Sequence, residues 1–194
     1  MEKLVELAKN KDKKAFIELI SNIKEEMYLV AKLKLKNEKD IENAIQNTLI
    51  KSYKCIKRLH INNLFKIWIM RIHINECDKI KKKNKNKELY KENNSDINKK
   101  GKDIKFDILI RNLNDEEKVI LTFYYYFKYS IKEVCEIFKE KENIINSKII
   151  RARNKIRKEI KDNRMIDIEK ILRISGSNEI YIPSKIEKIV SNLK

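Results

Sequence analysis

A chain of 194 residues with only two glycines and one proline is short of the residues that make tight turns. Glycine supplies the positive backbone angles of hairpin turns and proline presets their first corner, so a sheet-rich fold with many reversals is nearly excluded. Helices joined by polar breaks remain. The same shortage removes the glycine-rich loops that cradle nucleotide phosphates. A 42% apolar share is enough for one ordinary core or two small ones, so the chain is not a disordered tail.

Helical periodicity starts near Leu4 and runs almost unbroken to Ile80. Ala15, Phe16, Leu19, Ile20, Ile23, Met27, Val30 and Leu33 fall on one stripe, and Ile41, Ala44, Ile45, Thr48, Leu49, Ser52, Tyr53 and Ile56 on a second, with Asn37 and Asp40 as breaks between them. A third helix carries Phe65, Trp68, Ile69, Ile72, Cys77 and Ile80. Trp68, surrounded by apolar neighbours, is expected in the core. Across residues 81–103 apolar residues thin to Leu89, Tyr90 and Ile97 among Lys, Asn and Glu, the composition of a linker. Periodicity returns at Phe106, Ile108, Leu109 and Ile110 and continues through Leu113, Val119, Ile120, Phe123 and Tyr124, with Asn114 and the acids that follow it marking a helix start. The fold expected is all-α. It comprises an N-terminal helical bundle over residues 1–83, a flexible basic linker over 84–104, and a four-helix domain over 105–162, followed by a short helical extension over 163–194. In the extension, residues 166–174 and 186–190 are amphipathic, and Gly176 and Pro183 lie between them.

Residues 121–160 read as a helix-turn-helix. Ser130 stands at a cap position before Ile131, Val134, Cys135 and Phe138, the spacing of one buried helical face. The helix that begins near Glu142 keeps Ile145, Ile149, Ala152, Ile156 and Ile160 on one stripe, which turns Ser147, Lys148, Arg151, Asn154, Lys155 and Lys158 elsewhere. A packed helix with a cationic outer face suits a DNA major groove, with Asn143, Asn146, Ser147 and Lys148 entering it and the later cations on phosphates. A formal net charge of +17 makes a polyanion the leading partner, nucleic acid before membrane surface.

The odd number of cysteines, Cys55, Cys77 and Cys135, at helical apolar positions suits reduced, buried thiols. Cys55, His60, His73 and Cys77 have a spacing that a zinc site could use, but the first pair straddles a helix end and Cys77 is on the apolar stripe, so no metal and no cofactor are expected. No nucleophile-base-acid set or paired carboxylates with metal spacing is present, so an enzyme is not expected. The N-terminus lacks a basic then apolar leader, and no long uncharged apolar stretch follows, which predicts a cytoplasmic protein without membrane insertion.

Three stretches in order resemble bacterial RNA polymerase sigma factors of the extracytoplasmic-function type. Residues 40–53 (DIENAIQNTLIKSY) look like that family's acidic helix with its central Gln and following Thr; residues 65–75 (FKIWIMRIHIN) are similar to its Phe-Lys-x-Trp-x-x-Arg-Ile segment; and residues 149–156 (IIRARNKI) look like the Arg-Ala-Arg ending of its −35-reading helix. The chain departs from the pattern where Asn43 and Asn47 replace usual acids, where Lys139 or Glu140 stands in place of a turn glycine, and in the extension after Asn163. The resemblance implies that Asp40, Glu42, Asn43, Gln46 and Asn47 dock on core RNA polymerase. It implies that His60, Asn62, Asn63, Lys66, Arg71, Asn75 and Lys79 meet −10 DNA, and that Ser130, Asn143, Asn146, Ser147, Lys148, Arg151 and Lys155 meet −35 DNA. It also implies promoter DNA and an anti-sigma factor as partners, and a monomer when free of polymerase. Two other readings stay open: a stand-alone helix-turn-helix regulator whose N-terminal bundle dimerises or senses a signal, and a non-specific basic RNA- or membrane-binding protein.

Overall fold

The structure, a computed structural model, describes residues 1–88 and 112–159. These residues form helices and turns with no strand among them, so the all-α expectation holds. No helix among them is long and apolar enough to cross a membrane. They divide into two units, one formed by Met1–Lys85 and the other lying within Asn86–Glu179.

The first unit opens with α1 (Glu2–Lys9) and α2 (Lys13–Ser21), which pack on each other. Lys11 takes a left-handed conformation at the corner, and the Asp12 carboxylate caps α2 by accepting from the backbone amides of Lys14 and Ala15 at 2.9 and 3.1 Å. The stripe from Ala15 to Leu33, expected as one run, is divided between α2 and α3 (Lys24–Lys34), because Ile23 leaves the helix at φ −130°. The apolar pattern survives the break because Ile20, Ile23 and Met27 all reach the same core. Asn37, and not Asp40, caps α4 (Glu38–Cys55): its side chain accepts from the Asp40 amide at 2.8 Å. Two short 3₁₀ turns, Ile56–Arg58 and Asn62–Leu64, lead into α5 (Phe65–Glu88), and both turns touch α1.

At 24 residues α5 is about 36 Å long and serves as the spine of this unit. Its Phe65, Ile69 and Met70 are fully buried together with Phe16, Leu19, Ile23, Met27, Ile45 and Leu49. Polar ties add direction to this apolar contact. Lys34 of α3 is buried and pairs with Asp78 at 2.8 Å, Lys66 pairs with Glu26 at 3.2 Å, and Lys51 of α4 pairs with Glu76 at 3.0 Å. Residues 84–88, expected in the linker, belong to α5, and Asn84 is tied back to the Asp40 carboxylate at 2.6 Å.

The second unit contains α6 (Asp115–Leu121), where Asn114 and Glu117 form a reciprocal capping box. A π-helical turn, Thr122–Tyr126, follows and places Phe123 in the core, with the rings of Tyr129 and Phe138 edge-on at 5.1 and 6.3 Å. Tyr124, Tyr125 and Tyr126 are half-buried, as an aromatic run with no single helical face requires. Ser130 and Glu133 form a second capping box at the start of α7 (Ile131–Phe138), and after a turn comes α8 (Glu142–Glu159). The remainder of the expected linker, the apolar stretch 106–110, Ile160 and the extension 163–194 lie outside the described residues.

Candidate nucleic-acid interface

The helix-turn-helix is built by two local devices. Ser130 starts α7, with its hydroxyl accepting from the Glu133 amide at 3.3 Å and donating to the Glu133 carboxylate at 2.7 Å. Lys139 ends it in the left-handed region at φ 56° and ψ 42°, the position where glycine carries no Cβ penalty. Of Lys139 and Glu140, it is therefore Lys139 that holds the left-handed position of this turn. Val134 and Ile137 of α7 are buried while Ile131, Cys135 and Phe138 are half-buried, and α7 packs on α8.

Ile145, Ile149, Ala152 and Ile156 of α8 are buried, so the predicted core stripe is the observed one. The face turned away from it holds Asn143, Ser147, Ile150, Arg151, Asn154 and Lys158, all exposed, with Asn146 half-buried at its edge. The Ser147 hydroxyl donates to the Asn143 carbonyl oxygen at 2.7 Å, which leaves its oxygen able to accept. Amides, a hydroxyl and a guanidinium at these spacings are able to address base edges and phosphates together.

Two cations expected on that face are elsewhere. Lys148, whose side chain is only 15% exposed, donates to Glu116 at 3.0 Å and to Glu140 at 2.7 Å. Burial pushes its ammonium pKa down, but the hydrogen bonds it donates to Glu140 and Glu116 more than offset this and hold it above the ordinary lysine range. Lys155 donates to both oxygens of the buried Glu117 at 2.7 and 2.8 Å. Both lysines stand on the flank of α8 that meets α6, and the acids of that helix take them up. Of the set assigned to −35 DNA, Asn143, Asn146, Ser147 and Arg151 share the outward face or its edge, Lys148 and Lys155 brace α8 to its own unit, and Ser130 is engaged in its cap.

In the first unit, α4 turns Ile41, Ala44, Ile45, Thr48, Leu49 and Ser52 inward. Asn43, Gln46 and Asn47 are exposed side by side on the opposite face, joined one turn on by Ile50 at 41% exposure. Asp40 and Glu42 are half-buried at its margin, with Asp40 accepting from Asn37 and Asn84. The turn before α5 exposes His60, Ile61 and Asn63, but Asn62 is held down, accepting from Lys9 and donating to Glu6 at 2.9 Å. Along α5, Asn75 and Lys79 are exposed and Arg71 is half-buried, while Lys66 and Lys79 are paired with Glu26 and Glu76. Burial pushes the Glu76 carboxyl up, yet the bonds from Lys79 and Lys51 outweigh it and leave Glu76 below the ordinary range. Trp68 is half-buried at 6.0 Å from Phe65, so the expected core tryptophan is at the rim of the core.

His73 is fully buried between three helices. A carbonyl oxygen only accepts, so Nε2–H donates to Met27 at 2.8 Å, and Nδ1 meets the Thr48 hydroxyl at 2.9 Å. Burial pushes its pKa down to about 4, so the ring is neutral. With both ring nitrogens committed, His73 has no lone pair for a metal. Cys77, with Sγ 3.8 Å from Nε2, has a thiol that burial pushes up to about 12. Cys55 and Cys135 are free and half-buried, more open than their apolar positions predicted. Among the described residues no His, Cys, Asp or Glu group is arranged to hold a metal ion.

Sequence reasoning missed the apolar residues of these surfaces, namely Ile50, Ile61, Ile144 and Ile150, which are 41%, 56%, 40% and 55% exposed. For Ile150 the signal was present, since helical spacing alone puts it off the Ile145 to Ile156 stripe.

Among the described residues there are two helical units, and the second holds a helix-turn-helix with a polar and cationic outer face. The co-crystal structure of the sigma factor RpoE in complex with the anti-sigma factor NepR from Bartonella quintana matches with a TM-score of 0.64 at 17% identity, over 78% of this chain and 99% of that one. The structure of CnrH in complex with the cytosolic domain of CnrY matches with a TM-score of 0.63 at 16% identity, over 81% of this chain and 94% of that one. The chain therefore shares the fold of a known sigma factor. No protein-family model and no curated protein matches it.

Proposed function

We propose that the chain is an alternative sigma factor of the extracytoplasmic-function type, which binds core RNA polymerase and directs promoter-specific transcription initiation in the cytoplasm. The observation that carries this reading is the shared fold with the sigma factor RpoE, which spans nearly the whole of that chain and most of this one. In this reading α8 meets −35 DNA through Asn143, Asn146, Ser147 and Arg151, and the first unit meets −10 DNA through its exposed turn and α5. His60 and Asn63 are the exposed polar residues of that turn, and Asn75 and Lys79 line the helix beyond. Lys66 and Arg71 complete the strand path at the edge of the same helix, and Asn62 holds the turn in place through α1. The polymerase supplies the bond-forming chemistry, and the sigma subunit supplies position.

The docking face for polymerase is Asn43, Gln46 and Asn47 with Ile50, flanked by Asp40 and Glu42. It is polar without being strongly charged, so its contact is less dependent on salt than an acidic helix would give. That polar face favours the sigma reading over a stand-alone operator-binding regulator, whose dimer interface would be apolar there. These two structural neighbours were determined in complex with a second protein, named as an anti-sigma factor in one case, which supports an inhibitory partner of that kind. The testing experiment is run-off transcription with bacterial core polymerase, with and without the protein, on fragments of the source genome. Discrete new start sites are expected. No transcripts, together with sequence-specific DNA binding by the protein alone, would move the assignment to the operator-binding regulator.

A further inference from the structure

Ile150 is 55% exposed at the middle of the outward face of α8, one turn beyond Asn146 and Ser147 and one turn before Asn154, with Arg151 beside it. Single exposed aliphatic residues are common on protein surfaces and by themselves need no explanation. This one differs in register. The isoleucines of the core stripe, Ile145, Ile149 and Ile156, are buried and Ile144 is 40% exposed in the first turn, whereas Ile150, the most exposed isoleucine described in the helix, sits opposite the stripe among the side chains best placed to reach base edges. A β-branched residue is also a poorer helix former than the Ala, Lys or Glu that a solvated position accepts.

A base pair presents one apolar group in the major groove, the C5-methyl of thymine. Resting on the reading of α8 as the −35 helix, we propose that Ile150 is a specificity-determining residue that packs on a thymine methyl, with Asn146 and Ser147 on one side and Arg151 and Asn154 on the other fixing the register. The preferred DNA site then contains a thymine that is recognised by its methyl group. Withdrawing that methyl and part of the Ile150 side chain from water together supplies preference for thymine over cytosine at a position where no hydrogen bond is made.

The test starts from a random 30-base-pair duplex library, selected with the full chain alone and with the full chain bound to core RNA polymerase. Each thymine of the enriched site is then replaced singly by deoxyuridine, which keeps every hydrogen bond of the pair and removes only the methyl. One such replacement is expected to weaken binding by about fourfold, the effect of one buried methyl-sized group. Ile150→Ala is expected to bind the thymine site more weakly and to lose sensitivity to deoxyuridine at that position alone. Because Ile150 is exposed, the variant folds, and an unchanged helical circular dichroism spectrum verifies this. Selection with Ile150→Asn is expected to replace the thymine by adenine, the base that an amide side chain reads bidentately. An enriched site at which no thymine is sensitive to deoxyuridine, or an Ile150→Ala protein that keeps the full sensitivity, overturns the proposal and leaves the DNA-binding role of α8 standing. Absence of any enriched sequence in both selections removes that role and the proposal together.

Discussion

Lowering the pH from 7.5 to 5.0 should destabilise the first unit through one residue, His73. Its ring lies buried where α3, α4 and α5 meet, with Nε2–H on the Met27 carbonyl oxygen and Nδ1 on the Thr48 hydroxyl. Protonation leaves these bonds satisfiable, because Nδ1–H then donates to Thr48, whose own proton turns to the Ala44 carbonyl oxygen 2.7 Å away. The cost is therefore the buried charge itself. Desolvation is the largest cause of the lowered pKa and the nearby Lys34 adds to it, while the Met27 bond and Glu76 act in the opposite sense. A folded pKa of about 4 against an ordinary 6.5 means that the unfolded chain binds the proton first. The stability contribution is fully present above pH 6.5 and is lost as pH falls from there towards 4, by about 3 kcal/mol in all and about 2 kcal/mol by pH 5. Glu76, held below the ordinary carboxylate range, contributes stability that is lost only at more acid pH, so pH 5 to 7.5 isolates the histidine. Trp68 is the one tryptophan of the chain and lies in this unit, so urea unfolding followed by its fluorescence reads the right transition. His73→Gln keeps a donor for Met27 and an acceptor for Thr48 while removing the titration. It should lower stability at pH 7.5 and flatten the pH dependence. Equal unfolding free energies at the two pH values, or an unchanged pH dependence in His73→Gln, would refute the reasoning.

In the second unit, Lys139→Gly should raise stability by about 1 kcal/mol, because a left-handed residue at φ 56° no longer carries a Cβ; a lower midpoint in thermal unfolding by circular dichroism would count against it. Lys148→Ala should lower the stability of that unit by about 1 kcal/mol, discounted for the partial exposure of Glu116 and Glu140, and should leave the salt dependence of DNA binding unchanged. A salt slope reduced by about 1 would instead place Lys148 on a phosphate. Arg151→Ala should show that reduced slope with weaker binding to all sequences, whereas Asn146→Ala should alter sequence preference more than affinity, as measured by titration at several salt concentrations. Identical effects of the two changes on every duplex would remove the division between base and phosphate contacts. Glu117→Ala should cost about 2 kcal/mol, since it opens the capping box with Asn114 and leaves Lys155 without its partner; an unchanged thermal midpoint would show that neither contact stabilises α6.

Sequence alone determined what depends on near neighbours along the chain. The scarcity of glycine and proline decided for helices, the spacing of Ile145, Ile149, Ala152 and Ile156 decided which side of α8 is buried, and Asn114 and Ser130 marked two helix starts that the structure caps in the expected way. The apolar stripe from Ala15 to Leu33 misled, because periodicity records which residues reach a core and not whether the backbone between them is continuous. The flanks of a helix were illegible for a related reason. Lys148 and Lys155 stand between the core stripe and the outer face of α8, and the periodicity gives such positions no preference for solvent or for a neighbour. Only the tertiary arrangement, which brings Glu116 and Glu117 of α6 and Glu140 of the preceding turn to that flank, turned an expected groove contact and an expected phosphate contact into internal ion pairs. The same holds for His73, an ordinary residue in the sequence, whose neutral buried state exists because α3 and α4 bring Met27 and Thr48 to its two nitrogens. Backbone conformation follows from local sequence, whereas the charge and exposure of a side chain depend on distant residues that tertiary folding sets against it.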